Sequence, residues 1–460
     1  MIKVIGYMEQ VKENKMGIAP VLPLIVKMSL LAMFSMLIQS LYNVVDSIFV
    51  ARYNSKALTA VSLAFPIQIF VLALSVGTAI GLNSLISRRL GEKRQEEANL
   101  AATHGVYLGL INSAIFALIG IFGVRHFIAS FTDDPYISEN ATVYLQIVCI
   151  CSFAVFLQIN FEKILQATGN MIYPMLFQLT GAITNIILDP IMIFGLLGCP
   201  EMGVAGAALA TVIGQFFALV FASYILWKKD HEVHISMKKY KWSFAVAKEI
   251  YTVGFPAIIM QSIASLLITM LNGILIALSE AAVAVLGVYF KLQSFVYMPV
   301  FGLMQGIMPI FGYNFGAKKR QRMMTTLRYG LIIAVIITAI GMLLFWVMPQ
   351  QLLSMFSATE EMLKIGVPAL RIISLSFMLA AIGITLSSLF QAIGIGRYSL
   401  YISIMRQLVI ILPLAYIFSK LFSIDVVWAA FPIAELAAAF MSIVMFKKVY
   451  NKMIRNITLM

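Results

Sequence analysis

The sequence has few of the side chains on which enzymes and metal proteins usually depend. Among its 460 residues there are only three cysteines and four histidines. The cysteines, Cys149, Cys151 and Cys199, lie in or beside apolar segments and indicate neither a disulfide framework nor a metal site. His231-Glu-Val-His234 lacks the spacing of the HExxH motif, and the sequence contains no GxSxG or P-loop motif. We therefore expect no enzymatic activity and no cofactor.

Charged residues are scarce as well, and acidic ones most of all. Only 12% of the residues are charged, with 20 Asp and Glu against 33 Lys and Arg, whereas 61% are hydrophobic. The mean hydropathy is +0.94. No soluble fold needs that much apolar surface, so the composition predicts a polytopic helical membrane protein.

Long apolar runs recur along the whole chain and predict twelve transmembrane helices in an all-α fold. The predicted spans are residues 20–51, 57–87, 98–122, 137–166, 171–195, 203–228, 248–276, 282–312, 322–347, 361–392, 397–421 and 425–448.

The basic residues are distributed unevenly between the two sides of the predicted membrane. Lys and Arg gather at the termini and in every second loop, above all in residues 88–94, 228–248 and 318–328. This bias places both termini in the cytoplasm of a multi-pass protein of the plasma membrane, the inner membrane in a bacterium. The net charge of +13 is thus a topology signal, and we expect the lipid bilayer and no nucleic acid as a partner.

The chain also contains an internal repeat. A shift of 225 residues superimposes five glycines and other residues without a gap, among them Gly77 on Gly302, Gly81 on Gly306 and Gly91 on Gly316. Six spans separate the copies, an even number, so the halves have the same orientation and form a parallel repeat. We predict a cytoplasmic N-terminus (1–19), a first six-helix lobe (20–228), a cytoplasmic linker (229–247), a second six-helix lobe (248–448) and a cytoplasmic tail (449–460).

Polar residues occur inside the first span. Gln39, Asn43 and Asp46 are spaced by four and three residues, so they share one face of a helix. A charge inside a bilayer costs several kcal/mol, and intramembrane acids usually have a function. We expect Gln39 and Asn43 at a substrate cavity and Asp46 at a binding site, the alternative being a polar face packed against neighbouring helices.

A second polar set lies in spans 5 and 6. Asn185 and Asp189 share a helix face, and Thr211 lies at a depth comparable to those of Asp189 and Asp46, in the outer half of the membrane. Two carboxylates with an amide and a hydroxyl suit Na⁺, and two carboxylates at low dielectric also suit proton uptake. The residues leave both ions open, and also the alternative that these side chains only hold helices together.

The second lobe lacks this set, since Leu271 and Leu414 stand opposite Asp46 and Asp189 in the repeat. Its acid well inside a span is Glu435. Glu435 is either a second proton or substrate site or the partner of a base such as Arg371 or Arg406.

Five stretches of the sequence form a specific combination: residues 43–50 (NVVDSIFV), 166–170 (QATGN), 185–190 (NIILDP), 203–211 (GVAGAALAT) and 312–316 (GYNFG). Together they resemble the multidrug and toxic compound extrusion (MATE) family and, within it, bacterial exporters of the MepA-like type.

The resemblance implies two lobes facing a central cavity and export of cationic drugs or toxic metabolites, with a role in antibiotic resistance, driven by H⁺ or Na⁺. It implies that Asp46, Asn185, Asp189 and Thr211 form the ion site. Span 7 has Gln261, which we assign with Glu435 to the cavity, and no acid, unlike some family members. We expect a monomer.

Two other functions stay open. A flippase for lipids or lipid-linked oligosaccharides belongs to the same wider superfamily, and the charges inside the spans do not exclude it. A membrane-embedded enzyme is disfavoured because no catalytic motif occurs, and because duplication suits alternating access better than a single active site.

The predicted topology can be tested by cysteine labelling. In a background without Cys149, Cys151 and Cys199, a membrane-impermeant maleimide added outside cells should label Asp134→Cys and miss Ser236→Cys, because the linker is cytoplasmic. The reverse pattern would show that the orientation is wrong.

Overall fold

The computed structural model describes residues 13–356 and 358–455, except for the side chains of six residues near the end of the first span and the start of the second, 43, 44, 47, 51, 55 and 58. The helices of the first half are α1 (Lys15–Ile18), α2 (Val21–Tyr53), α3 (Ser55–Gly91), α4 (Gln95–Leu118), α5 (Val124–Ala129), α6 (Pro135–Ile150), α7 (Phe153–Ala167), α8 (Ile172–Phe194) and α9 (Gly203–Lys228).

The second half repeats this arrangement. Its helices are α10 (Phe244–Ile276), α11 (Glu280–Gly316), α12 (Arg320–Val347), α13 (Pro349–Ser354), α14 (Glu360–Ser374), α15 (Phe377–Ala392), α16 (Gly396–Ile404), α17 (Leu412–Leu421), α18 (Ile424–Val427) and α19 (Ala430–Val449). Short π-helical turns at Ile119–Gly123 and Met405–Ile411 join α4 to α5 and α16 to α17. The described residues contain no strand.

The all-α prediction with twelve spans is confirmed. Among the described residues, ten helices are long and apolar enough to cross a membrane, and two bent pairs, α6 with α7 and α14 with α15, complete the twelve. The bends are 45° and 47° and occur at matching places in the repeat, each directly before a phenylalanine. At the second bend the Ser376 hydroxyl donates to the carbonyl of Ile373 at 2.6 Å, and such local bonds compete with helix continuation.

The apolar core shows how the lobes are joined. We call the end that carries the Lys- and Arg-rich loops, such as residues 228–243, the basic end and the other end the far end. One buried cluster at the basic end combines both lobes, for example Leu82 and Ile86 with Ile307 and Phe311. Towards the far end each lobe has a separate cluster. The lobes are therefore closed on each other at the basic end.

Two helix pairs form most of the seam between the lobes, α3 with α10 and α2 with α11, and α3 also packs on α11. They are equivalent in the repeat and use equivalent glycines. A Cβ at Gly77 would lie 2.4 Å from the side chain of Ile258, and one at Gly302 would lie 2.6 Å from the Cα of Met33. Ile258 and Met33 are themselves 225 residues apart. The repeat seen in the sequence therefore places glycine where the lobes touch.

The same symmetry holds at the tips of α3 and α11. A Cβ at Gly91 would lie 2.0 Å from the carbonyl oxygen of Tyr313, and one at Gly316 would lie 2.1 Å from that of Arg88. Any larger residue would force the backbones apart, so these glycines permit the closed basic end.

Enlarging a seam glycine should destabilise the closed arrangement. In Gly306→Val the side chain would collide with the backbone of Ser29, because a Cβ at residue 306 would lie only 2.8 Å from the Cα of Ser29. Overpacking of this kind costs about 1–3 kcal/mol, so the apparent Tm of the purified protein should fall by several degrees.

Gly287→Val is the matched control, because it lies on the same helix and a Cβ there meets nothing within 4 Å. An equal loss of Tm in both variants would contradict the claim that close packing at the seam stabilises the closed arrangement.

Candidate functional site

The candidate site is built on close packing of α8 and α9. A Cβ at Gly206 would lie 2.5 Å from the carbonyl oxygen of Met192, and one at Gly214 would lie 2.7 Å from that of Gly181. Glycine at these two positions lets the helix backbones approach, as small residues do in membrane helices. This approach brings Thr211 on α9 to the polar face of α8.

Asn185 connects the polar side chains of this helix pair. Its Nδ2 donates to Oδ1 of Asp189 at 3.2 Å and to Oγ1 of Thr211 at 3.3 Å. The exposed fractions of Asn185, Asp189 and Thr211 are 2%, 0% and 9%. The three predicted side chains are thus together and nearly dry, so each polar atom must find a partner inside the protein.

Asp46 joins this group from α2, which packs on α8. The carboxyl groups of Asp46 and Asp189 lie within side-chain hydrogen-bonding reach of each other. Two ionised carboxylates only accept hydrogen bonds and repel each other. Contact between them therefore requires a shared proton or a cation.

Three buried oxygen atoms of the group have no hydrogen-bond partner among the described residues. They are Oδ1 of Asp46, Oδ1 of Asn185 and Oδ2 of Asp189. All are acceptors, and burying an acceptor without a partner costs about 1–3 kcal/mol. Hard oxygen ligands of this kind fit Na⁺, and the carboxyl oxygens also fit a proton.

No cluster of three or more His, Cys, Asp or Glu side chains able to hold a metal ion occurs in the described part of the chain. The carboxyl pair with its amide and hydroxyl neighbours therefore has no thiolate or imidazole companion of the kind that selects a transition metal.

Two tyrosines belong to the site although they were absent from the sequence prediction. Tyr42 is within side-chain hydrogen-bonding reach of Thr211 and lies near Asp46. Tyr144 on α6 lies near the same carboxyls and accepts a hydrogen bond from Gln68 at 2.8 Å. Tyr42 could have been found, because it precedes Asp46 by one helical turn. Tyr144 had no signal in the sequence, since only packing of α6 on α3 brings it there.

The residues predicted to line a substrate cavity have different surroundings. Gln39 and Gln261 have exposed side chains, and the side chain of Asn43 lies outside the described ones. Glu435 is buried and accepts a hydrogen bond from Arg406 at 2.9 Å. Of its two expected partners, Arg406 is the one in contact, whereas Nε of Arg371 donates to the carbonyl of Trp346.

A second buried ionic group lies nearer the basic end. Glu162 accepts hydrogen bonds from three glutamines, Gln158, Gln166 and Gln178. Nζ of the adjacent Lys163 lies 3.8 Å from Glu162 and donates to Gln305 of the second lobe at 2.8 Å. The lysine therefore pairs with the neighbouring acid and also bridges the lobes.

An open apolar groove with a volume of about 430 Å³ lies beside the seam between α3, α4 and α10, and its wall residues Phe70 and Phe255 are 49% and 59% exposed. Aromatic and aliphatic side chains such as Phe70 and Phe255 form its walls, and the adjacent Asn112 and Tyr251 supply polar atoms. Nδ2 of Asn112 donates to the hydroxyl of Tyr251 at 3.1 Å. The volume is in the range that drug-sized ligands occupy.

Comparison with known proteins identifies the family. The sequence profile of the MatE family matches residues 32–191 and 256–417. The chain belongs to the MatE family. The two matched segments are offset by almost the same distance as the internal repeat, so each MatE unit corresponds to one lobe.

Relatives of this MatE chain include the multidrug export protein MepA of Staphylococcus haemolyticus. It is 27% identical over 427 residues, which cover 92% of this chain and 93% of MepA. MepA of Staphylococcus saprophyticus is 28% identical over 399 residues, 86% of this chain and 87% of that protein.

A solved structure of a multidrug resistance MATE family transporter of the MOP superfamily, in an outward-facing conformation, is also similar to this MatE chain. Its TM-score is 0.91 at 27% identity, with 97% of this chain and 99% of that chain covered. A MOP superfamily transporter from Pyrococcus furiosus, described as having a binding pocket of reverse polarity, gives a TM-score of 0.89 at 27% identity, covering 96% of this chain and 99% of that one.

Proposed function

We propose that this protein is a secondary active multidrug antiporter, and not an enzyme, which exports cationic amphipathic compounds in exchange for H⁺ or Na⁺ by alternating access. The relatives and solved neighbours are transporters, and MepA is a multidrug export protein. Membrane helices, the duplicated lobes and the buried acids all fit such a carrier.

The observation that carries the proposal is the trio of buried, unpartnered acceptor oxygens around Asp46 and Asp189. An acidic pair deep in a membrane protein is costly unless a cation compensates it. One proton or one Na⁺ would satisfy these atoms, and its loss would leave them repelling one another. The occupancy of the site is therefore coupled to the packing of α2 against α8.

The architecture supports alternating access. One core joins the lobes at the basic end, and each lobe has its own core towards the far end. Asp46 lies seven residues and Asp189 five residues from the far-end termini of α2 and α8, or about 10 Å and 8 Å of helix. A cleft that opens at the far end would expose this site to the outside of the cell.

The side chains near the site and the seam support a cationic, amphipathic substrate class. Tyr42 and Tyr144 flank the carboxyl pair, and the groove lined by Phe70 and Phe255 is apolar. Aromatic faces and carboxylates attract cations, while an apolar wall accepts the rest of an amphipathic drug. We propose a monomer in the plasma membrane with both termini in the cytoplasm, as the distribution of basic loops indicates.

The site carboxyls should be required for coupled efflux. In proteoliposomes, Asp46→Asn and Asp189→Asn should each abolish dye transport driven by a pH or Na⁺ gradient, because an amide can neither release a proton nor supply the same charge to Na⁺. Applying each gradient alone identifies the coupling ion.

Asp134→Asn is the matched control, since Asp134 is an acid of the first lobe outside the buried site and should leave transport unchanged. Normal gradient-driven efflux by Asp46→Asn would contradict the proposal, and movement of a fluorescent lipid in place of the dye would favour a flippase.

Drug and ion should also weaken each other's binding. Coupling is reciprocal and usually amounts to about 1–3 kcal/mol, or roughly 5- to 150-fold in affinity. Drug affinity of the detergent-purified protein, measured against Na⁺ at fixed pH and against pH without Na⁺, should fall with one of the two ions. Asp189→Asn should flatten that response, and an affinity that ignores both ions would exclude simple exchange at this site.

A further inference from the structure

Two short segments cross from one lobe to the other at the basic end. The N-terminal clasp, residues 13–19, leads directly into α2 of the first lobe. The linker clasp, residues 231–243, leads directly into α10 of the second lobe. Because α2 and α10 are equivalent in the repeat, the two clasps occupy equivalent places in the chain.

The N-terminal clasp is bound to the second lobe. Nδ2 of Asn314 donates to the carbonyl of Met16 at 3.0 Å, and Nζ of Lys319 donates to that of Gly17 at 2.9 Å. The guanidinium of Arg322 on α12 donates to the carbonyl of Ala19 at 2.6 Å. Met16 is fully buried, so the clasp is packed as well as hydrogen-bonded.

The linker clasp is bound to the first lobe, along α4, the repeat equivalent of α12. The backbone N–H groups of His234 and Ser236 donate to Asn99 and Thr103 at 2.8 and 3.1 Å. At the end of the clasp the N–H of Ser243 donates to Nε2 of His104 at 2.8 Å.

His104 is suited to accept this bond. Its other ring nitrogen, Nδ1, lies 2.8 Å from the carbonyl of Leu100, which fits a neutral ring with the proton on Nδ1 and a lone pair on Nε2. The ring also stacks on Trp242 with the centroids 5.3 Å apart.

The last hydrogen bond of each clasp lies at the start of the helix that follows, so almost no flexible chain separates the two. Ala19 is followed by Pro20, the N-cap of α2, and Ser243 is itself the N-cap of α10. If α2 moves away from α12, or α10 from α4, the Arg322–Ala19 and His104–Ser243 bonds must break or the helix starts must unwind.

We propose that these two bonds are symmetric locks that hold the lobes closed at the basic end and open once in each transport cycle. The inference rests on the alternating access proposed above. It assigns Arg322 and His104 as positioning residues, which act on the lobes and do not touch the transported drug.

The locks can be tested with spin labels on full-length protein in nanodiscs. Labels at Trp227→Cys and Lys448→Cys mark the basic ends of the last helix of each lobe and replace exposed residues, in a background with the three native cysteines replaced. Arg322→Met removes the hydrogen bonds of the guanidinium, and His104→Phe removes the acceptor but retains the aromatic ring.

Arg322→Met should raise the ratio of the open to the closed population about tenfold, because a hydrogen bond from a charged group is lost. His104→Phe should raise it several-fold, because the bond to Ser243 is neutral and partly buried. The double variant should open further than either single one. Arg322→Lys, which can still donate to Ala19, should remain closer to the wild type.

Lys56→Met is the control at the far end. Lys56 donates to Oδ2 of Asp134 at 2.8 Å and holds the pKa of that carboxyl below its ordinary value. Lys56→Met therefore also removes a hydrogen bond from a charged donor, but it should not alter the distance at the basic end.

Added chain length tests the same idea without removing any contact. A Gly-Ser insertion between Ala19 and Pro20 would let α2 leave while the clasp stays bound, so it should raise the open population. The same insertion after Asp230, whose side chain is 95% exposed, precedes the linker clasp and should have no effect.

The proposal would be wrong if the distance between the labels at positions 227 and 448 stayed unchanged in the double variant and in the insertion after Ala19. It would also be wrong if the variants lowered the Tm without changing that distance. Because the labels report the lobes whether or not drug is carried, this result is distinguishable from failure of the transport assay.

Discussion

The pair of carboxyl groups formed by Asp46 and Asp189 is the constraint on which the first lobe depends. Both side chains lie within an apolar protein that is itself immersed in hydrocarbon, where an unpaired charge is expensive. The amide of Asn185 satisfies one carboxyl oxygen of Asp189. Among the described residues, one acceptor oxygen each of Asp46, Asn185 and Asp189 has no partner. In the function proposed above, a cation or a proton satisfies these oxygens, and ion occupancy is thereby coupled to helix packing. In the second lobe the buried Glu435 already has Arg406 as a partner.

The contacts at the seam between the lobes follow the internal repeat of the sequence. Two repeated lobes in the same orientation are related by an axis between them. A contact made by a residue of one lobe therefore recurs at the residue 225 positions away in the other lobe. Gly77 and Gly302 occupy such equivalent positions, as do their neighbours Ile258 and Met33. Close backbone contact at the basic end can form or break as a unit, since packed interfaces have discrete arrangements. The clasps extend this symmetry beyond the membrane helices, because each leads into the first helix of one lobe and is hydrogen-bonded to the other lobe.

Much of the first lobe's site could be predicted because it depends on local geometry. Asn185 and Asp189 are four residues apart, so any helix through them places both on one face. The depth of Asp46 followed from its position in an apolar run of known length. Thr211 also lies where its depth indicated, although its contact with Asn185 depends on how closely α9 approaches α8. Tyr144, in contrast, approaches the carboxyls from α6, and neither its spacing from Asp46 nor that from Asp189 indicates this contact.

The sequence by itself determined the twelve spans, the all-α class, the offset of the repeat and the polar faces of the first and fifth spans. Each of these depends on apolar length, helical periodicity or self-similarity, which are properties of neighbouring or equally spaced residues. Tertiary structure alone decided that Glu435 pairs with Arg406 and not with Arg371, and that α6 and α14 bend away from α7 and α15. It also decided that residues 13–19 bind the second lobe and residues 231–243 the first. These outcomes depend on which surfaces pack across long separations in the chain, and no local pattern specifies that choice.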